Sequence, residues 1–369
     1  MSTGHTPAHG DEASPGDIPV IDLHGSAAEL GYEHGSRLRE AIGTFYEVLL
    51  AQMCADGATN EDDLLSYARG HLPAAKEYAP ELTDEILGIA DGSGLSADRV
   101  LLMNCYDEVS CHGPRLLTTG PHGCTAFAAT GRATSGGACY VGQSWDVPPY
   151  YPPYLFRLAH DDGTTKLMFC HPGMIGGAGV NSEGLALAWT TLRANDAGLG
   201  VPAPFVVRKA LDSGHLGAML GAILSARRAN GMGFIAGDTV AAVNVELSAT
   251  RYSVEYSHGT LGRANHYESP SLLQFEDDSP VDGPDTILRS GRMKELLACH
   301  SGSIEPAVLM DILCDHASRP GCICYHEFEG WRTCAALICD PQDGVMWVSN
   351  GPPCESGFRQ YTVAPATEV

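Results

Sequence analysis

A glycine followed directly by a cysteine, at positions 123 and 124 of this 369-residue chain, is the feature best suited to covalent chemistry. The pair lies in the stretch PHGCTAF, where a loop rich in glycine and proline gives way to a run typical of a β-strand. The Cys124 thiol could attack the carbonyl of Gly123, which obstructs the approach least because it lacks a Cβ atom. Water would then cleave the resulting thioester. Gly123, Cys124 and Thr125 are therefore a candidate self-cleavage site.

Cleavage at this bond would turn Cys124 into the N-terminal residue of a new chain. A free α-amine titrates at about 7.7–8.0 and a free thiol at about 8.5, so both groups are close to neutrality. One residue would then carry a nucleophile together with its own proton acceptor. Such a site needs no catalytic histidine.

The elements around this pair change character at the cysteine. The pattern is helical from Ser26 to about Val109, and short strands separated by Gly-rich turns follow Cys124. Further helices are predicted at 203–211, 215–227, 286–299 and 304–317. Strands with helices set before and between them predict an α+β fold. The expected organisation is a disordered tail at 1–17 and a helical segment at 18–123, integrated into one domain with a catalytic segment at 124–369.

Composition excludes several classes of function. The net charge of −23 repels a nucleic-acid backbone, so no nucleic-acid partner is expected. The N-terminus lacks the pattern of a secretory signal, and no run approaches the roughly 20 apolar residues of a membrane span. A cytoplasmic protein without a membrane partner is expected, and its 13 cysteines, odd in number and irregularly spaced, argue against a disulfide framework.

Several stretches together resemble the penicillin acyltransferase family of cysteine N-terminal-nucleophile (Ntn) hydrolases. ELGYEHGSRLRE resembles the N-terminal helix of that family, and HGCTAF followed by GQSWDV resembles its self-cleavage site and the Trp-Asp strand after it. GMIGGAGVNSEGLAL resembles its Gly-rich hairpin, GRANHY its downstream Asn-His pair and SGRMKELL its arginine-containing helix. These stretches occur in the order that the family has, from roughly residue 25 to residue 350.

The resemblance implies a four-layer αββα sandwich and autoproteolysis that leaves an α/β heterodimer, with further oligomerisation left open. It implies Cys124 as nucleophile, Asp146 as the carboxylate that orients the Cys124 amine, and Asn265 as the amide that stabilises the oxyanion. Arg332 is matched to an arginine that orders the substrate or the site. The implied substrate is a small-molecule amide or acyl-thioester, acyl-CoA among the candidates, and neither a cofactor nor a metal is expected.

Two residues beside the cysteine depart from the pattern of the penicillin-acylating enzyme. Thr125 is followed by Ala126 where that enzyme has a second threonine, and His122 replaces an acid before Gly123. Both changes lie next to the reaction centre. The reaction class therefore transfers better than the substrate, and hydrolysis and acyl transfer both stay open.

Two other classes of function remain open from the residues alone. Cys111, His112, His122 and Cys124, or alternatively Cys322, Cys324 and His326, could hold zinc in a metal-dependent amidohydrolase, although neither set has the spacing of a known zinc motif. The chain could also be a non-catalytic binding protein on the Ntn fold. Asp146 could cap a turn before two prolines, and Asn265 could be a turn residue.

Overall fold

The computed structural model describes residues 17–55, 59–112, 123–277, 285–328 and 330–364. The predicted disordered tail at 1–17 therefore lies outside the described residues, apart from its last position. Within the described residues the helices are α1 (Ala27–Arg37), α2 (Arg39–Met53), α3 (Glu61–Tyr78), α4 (Pro80–Ser93), α5 (Ala97–Met103), α6 (Tyr106–His112), α7 (Ala203–Leu211), α8 (Leu216–Ser225), α9 (Asp285–Cys299), α10 (Pro306–Leu313) and α11 (Pro353–Ser356). None of these helices has both the length and the hydropathy that crossing a membrane requires. The helical region predicted to follow Ser26 is confirmed.

Strands follow Cys124 as the sequence predicts, with β2 opening at the Gly–Cys pair, and one strand, β1, precedes the helices. They are β1 (Val20–His24), β2 (Gly123–Ala129), β3 (Tyr140–Val147), β4 (Tyr154–Ala159), β5 (Thr165–Cys170), β6 (Ala178–Asn181), β7 (Ala186–Leu192), β8 (Gly231–Gly237), β9 (Ala242–Leu247), β10 (Tyr252–Ser257), β11 (Thr260–Arg263), β12 (Arg332–Asp340), β13 (Val345–Val348) and β14 (Arg359–Thr362). Across the described residues they form an eight-stranded sheet, β1-β4-β5-β6-β7-β8-β9-β10, and a six-stranded sheet, β11-β2-β3-β12-β13-β14.

The two sheets pack face to face, with β2 and β3 of one against β7 and β8 of the other. On the outer face of the six-stranded sheet, α9 lies against β11 and β2, and α10 against β12 and β3. On the eight-stranded sheet, α7 lies against β6 and β7, and α1 against β1. The inner strands of both sheets are almost entirely buried, because each sheet covers one face of the other and helices cover the outer faces, whereas the border strands β10 and β14 are largely exposed. The architecture is therefore the four-layer αββα sandwich that the resemblance implies.

Helices α1 and α4 approach each other closely enough to need glycine. A Cβ atom at Gly31 or Gly35 would lie 2.2 or 2.4 Å from a backbone carbonyl of α4, and the α4 glycines meet α1 in the same way. Between these glycines, His34 is buried and its Nε2 accepts a hydrogen bond of 2.9 Å from the Gly173 N–H. Burial lowers the pKa of His34 to about 3, so the ring is a neutral acceptor. The Gly-x-x-His-Gly stretch thus anchors the loop after β5, which borders the site described next.

Candidate active site

Cys124 is the second residue of β2 and borders a cavity between the two sheets. The antiparallel pairing of β2 with β3 places Trp145 opposite Cys124 and Asp146 opposite Gly123. Strand pairing therefore brings the candidate nucleophile and the candidate carboxylate together across 22 residues of sequence. Burial, together with the nearby carboxyl of Asp146, raises the pKa of the Cys124 thiol well above its usual value. In the uncleaved chain this thiol needs a proton acceptor before it can attack.

Gly123 is required at its position because of the space that Asp146 occupies. A Cβ atom at Gly123 would lie 2.9 Å from both Cβ and Oδ2 of Asp146, closer than van der Waals contact allows. The φ angle of Gly123 lies outside the left-handed region, so crowding and not an unusual backbone conformation excludes a side chain here. The same crowding keeps the Asp146 carboxyl next to the Gly123–Cys124 peptide.

Asp146 is a buried carboxyl with only one of its oxygens paired. Its Oδ1 accepts a 2.6 Å hydrogen bond from the hydroxyl of Thr333 on β12. Its Oδ2, which lies against Gly123, has no hydrogen-bond partner among the described residues. Burial raises the pKa of Asp146 to about 7, against the opposing effects of the Arg289 charge and the Thr333 hydrogen bond. A carboxyl that titrates near neutrality can accept a proton and release it again.

Asn265 follows β11 and holds the nitrogen of Cys124. Its Oδ1 accepts a 2.9 Å hydrogen bond from the Cys124 backbone N–H, and its Nδ2 donates one of 3.1 Å to the Thr191 carbonyl. The orientation of the amide is fixed because a donor faces one end and an acceptor faces the other. The structure thus brings Asn265 to Cys124, as a group that binds the nitrogen of the bond predicted to be cut.

Arg289 on α9 binds the other end of the same residue. Its Nη1 donates to the Cys124 carbonyl at 2.7 Å and to the Thr125 hydroxyl at 2.9 Å. Its Nη2 donates to Oδ1 of Asn265 at 3.2 Å, and Asp285, one turn earlier on α9, accepts from Nε at 3.1 Å. The guanidinium is fully buried, and these bonds fix its position. Arg289 and Asn265 therefore clamp the backbone of Cys124 from both sides.

Arg332, which the resemblance matches to an arginine that orders the substrate or the site, is the first residue of β12. It opens β12 opposite Val147, and its guanidinium lies against Gly351, where a Cβ atom would come within 2.8 Å of Nη2. It is absent from the described lining of the cavity that Cys124 borders. A role for Arg332 in the reaction stays a prediction.

Sequence reasoning missed Arg289 and Thr333. The helix stretch quoted for the resemblance begins one residue after Arg289, and its own arginine, Arg292, pairs instead with Asp315 at 2.8 Å on the protein surface. A signal existed, because Arg289 shares the buried face of α9 with Met293. Thr333 carried no such signal, since its partner lies on another strand.

The cavity beside Cys124 is small, with a volume of about 50 Å³. Its walls are mainly aromatic and apolar, with contributions from Met103, Tyr106, Trp145, Tyr151, Met174 and Trp189. The polar side chain of Asp107 also lines it, and burial raises the pKa of that carboxyl to about 6. Walls of this character favour contact with an apolar group of a small molecule.

The first metal cluster considered from the sequence is outside what the structure tests. His122 lies outside the described residues, and the side chain of His112 is likewise not described. Cys111 is buried in α6. The metal-dependent alternative at these residues stays a prediction.

Comparison with known proteins identifies related sequences. The family model described as acyl-coenzyme A:6-aminopenicillanic acid acyl-transferase matches residues 132–354, more than half of the chain and including Asp146, Asn265 and Arg289. A curated relative from Emericella nidulans, the 40 kDa form of acyl-coenzyme A:6-aminopenicillanic-acid-acyltransferase, is 26% identical over 328 residues, which cover 84% of this chain and 85% of the relative.

Two solved structures are similar to a lesser degree. A variant of the conjugated bile acid hydrolase from Clostridium perfringens has a TM-score of 0.40 and 11% identity, and the match covers 65% of this chain and 96% of that chain. Penicillin V acylase from Agrobacterium tumefaciens has a TM-score of 0.39 and 11% identity, and the match covers 61% of this chain and 82% of that chain. The family assignment therefore depends on the sequence matches.

Proposed function

Because the chain belongs to the acyl-coenzyme A:6-aminopenicillanic acid acyl-transferase family, an enzyme family of acyl transfer, we propose that it is a self-processing cysteine Ntn enzyme. In this proposal it takes an acyl group from an amide or thioester through an acyl-enzyme on Cys124. The observation that carries the proposal is the clamp on Cys124, where Asn265 binds the nitrogen and Arg289 binds the carbonyl oxygen. This arrangement fixes the backbone of one cysteine at the mouth of an apolar cavity.

Self-processing begins with transfer of the thiol proton from Cys124 to Oδ2 of Asp146. The sulfur then attacks the Gly123 carbonyl carbon, the C–N bond to Cys124 breaks, and the departing nitrogen takes the proton from Asp146. Water hydrolyses the thioester, which releases the Gly123 carboxylate and regenerates the thiol. A pKa of about 7 suits Asp146 to both proton transfers.

In the mature enzyme the nitrogen released by cleavage is a free α-amine, still beside Oδ1 of Asn265. This amine takes the proton of the Cys124 thiol, and the sulfur attacks the carbonyl carbon of the substrate. The amide nitrogen of Asn265 has two N–H bonds, one of which donates to Thr191. The second N–H is the proposed donor to the oxyanion, an interaction worth about 2.7–4 kcal/mol in comparable sites. Collapse expels the amine or thiol leaving group, and water or an acceptor amine removes the acyl group from sulfur.

The cavity favours an apolar acyl group in the substrate. Trp145 and Trp189 meet edge to face with ring centroids 5.6 Å apart, and Met103 and Met174 add flexible apolar surface. The name of the curated relative includes acyl-coenzyme A, so an acyl-thioester donor belongs with amides among the proposed substrates. A free thiol nucleophile favours a reducing compartment, and the cytoplasm is the proposed location.

The mass of the denatured, freshly purified protein tests this proposal. The wild-type chain is expected to give two fragments, residues 1–123 and 124–369, whereas Cys124→Ala gives one intact species. Cys299→Ala is the control, because this exposed cysteine at the end of α9 lies away from the cavity and its loss leaves cleavage unchanged. A panel of amides and acyl-thioesters then reports turnover. An intact wild-type chain with an inert thiol, or turnover that survives in Cys124→Ala, overturns the proposal.

A further inference from the structure

Four side chains that could bind a metal ion converge outside the lining of the Cys124 cavity. They are His316 and His326, together with Cys324 and Cys354, and their ligand atoms all lie within 4.8 Å of one another. These four residues, named the His–Cys cluster here, come from the segment between α10 and β12 and from the short helix α11. The sequence had pointed to Cys322 beside Cys324 and His326, but folding brings Cys354 and His316 to that place instead.

The distances within the His–Cys cluster match the edges of a metal-centred tetrahedron. The two Nε2 atoms lie 3.0 Å apart and the two Sγ atoms 3.6 Å apart, while Nε2 of His326 lies 3.8 Å from the Cys324 sulfur and 3.3 Å from the Cys354 sulfur. Bond lengths of about 2.3 Å to sulfur and about 2.0–2.1 Å to nitrogen give tetrahedral edges of about 3.3 Å for N···N, 3.6 Å for S···N and 3.8 Å for S···S. These four separations agree with the tetrahedral edges within a few tenths of an ångström, and the remaining two, from His316 to each sulfur, lie within 4.8 Å.

We propose that the His–Cys cluster binds one Zn²⁺ ion as a structural site. Two thiolates and two imidazoles form the Cys₂His₂ ligand set that zinc favours, and the two thiolate charges balance the charge of the ion. All four positions of the tetrahedron are filled by protein, so no position is left for a substrate or a catalytic water. The site is therefore distinct from the metal-dependent hydrolase considered as an alternative function.

A neighbouring carboxylate holds one histidine of the cluster in the form that binds a metal. Oε1 of Glu355 lies 3.1 Å from Nδ1 of His326, which places the ring proton on Nδ1 and leaves the lone pair of Nε2 toward the cluster. The 3.6 Å between the sulfurs of Cys324 and Cys354 is well beyond the roughly 2.05 Å of a disulfide.

Hydrogen bonds through Tyr325 and Thr333 connect the His–Cys cluster to the proposed catalytic carboxyl of Asp146. Tyr325, between the two ligands Cys324 and His326, exchanges two hydrogen bonds of 2.9 Å with Thr333: its N–H donates to the hydroxyl and its carbonyl accepts from the Thr333 N–H. The same Thr333 hydroxyl donates to Asp146. Zinc at the cluster would therefore fix the segment that orients the partner of Asp146.

Metal analysis of the full chain, purified under reducing conditions, tests the proposal. About one zinc per chain is expected, retained through dialysis, and also in Cys124→Ala because the site does not depend on self-cleavage. His316→Ala and Cys354→Ser are expected to lose the metal. Cys322→Ser is the matched control, since this neighbouring buried thiol lies outside the cluster and its loss leaves the zinc content unchanged.

Cobalt substitution of the wild-type chain gives a second measurement that does not depend on variants folding. We expect visible absorption bands typical of tetrahedral, thiolate-bound Co²⁺. These bands should disappear when added Zn²⁺ displaces the cobalt. A chain that retains neither metal after equilibration with an excess overturns the proposal. So does a mass spectrum that shows a Cys324–Cys354 disulfide in the freshly purified, metal-free protein.

Discussion

Replacing Thr333 by valine removes one hydroxyl and keeps the shape of a fully buried side chain. That hydroxyl donates at 2.6 Å to Asp146, whose carboxylate form it stabilises. A hydrogen bond to a charged group contributes about 1.5–3 kcal/mol. Since one pKa unit corresponds to about 1.4 kcal/mol, the pKa of Asp146 is expected to rise by about 1–2 units from its value near 7. The ionised fraction of Asp146 at neutral pH then falls from about a half to between about a tenth and a hundredth.

The assay follows the cleavage of the uncleaved chain as a function of pH. The chain is produced by cell-free synthesis, diluted into buffers from acid to alkaline, and the appearance of the two fragments is timed. For Thr333→Val we expect cleavage at neutral pH to slow by about 5- to 50-fold and the midpoint of the pH profile to move up by about 1–2 units. At high pH the rate recovers most of the loss, because Asp146 is then ionised in both proteins.

Thr333→Ser is the matched control for this experiment. Serine keeps the hydroxyl and loses only a methyl group, so its pH midpoint should stay close to that of the unmodified chain. A Thr333→Val chain that cleaves more slowly by the same factor at every pH would refute the reasoning, because a change confined to packing has that effect. An unchanged rate would refute it as well.

Two further predictions concern the charges around Cys124. On the uncleaved Cys124→Ala background, Asp146→Asn should raise thermal stability at pH 8. Burial raises the pKa of the Asp146 carboxyl in the folded chain from 3.8 to about 7. The contribution of this carboxyl to stability is therefore complete below about pH 4 and is lost as the pH rises through 7, which costs the folded state on the order of 4 kcal/mol. Thermal melts at pH 4 and pH 8 check this, and an equal loss of stability at both pH values would contradict it. Arg289→Lys should slow self-cleavage about tenfold or more, because an ammonium lacks the planar fork that bonds to the Cys124 carbonyl, the Thr125 hydroxyl and Asn265 together. Arg332→Lys should change the rate little. Comparable rates in the two variants, timed on gels, would argue against the clamp.

The proposed nucleophile was found from a local sequence signal, and the proposed carboxyl from the family resemblance of its Trp-Asp stretch. Cys124 stands at a change from loop to strand, and Asp146 follows a tryptophan at the end of the next strand. The alternative interpretation of Asp146 as a residue that only caps a turn is wrong, because Asp146 is buried in β3 and pairs across the sheet with Gly123. The reason that Gly123 is glycine is visible only in that pairing, where Asp146 fills the space of a side chain.

The groups that the sequence could not place act across long separations. Arg289 binds a residue 165 positions earlier, and Thr333 binds one 187 positions earlier. The choice between Arg289 and Arg292 depends on which face of α9 packs against the sheet. The His–Cys cluster could not be predicted from sequence for the same reason. Cys354 lies 30 residues from Cys324, and only the fold shows that their sulfur atoms lie close together.

The position of strand β1 affects how the two fragments of the proposed cleavage would depend on each other. It pairs in parallel with β4 along five residues and forms one end of the eight-stranded sheet, although it precedes the proposed cut by about a hundred residues. Once Gly123 and Cys124 are separated, this border strand belongs to a different polypeptide from the rest of its sheet. Loss of the smaller fragment would expose the unpaired N–H and C=O groups of β4, which invite edge-to-edge aggregation. If the chain is cut as proposed, the small fragment would keep this edge of the large one covered, and the two would be expected to persist or be degraded together.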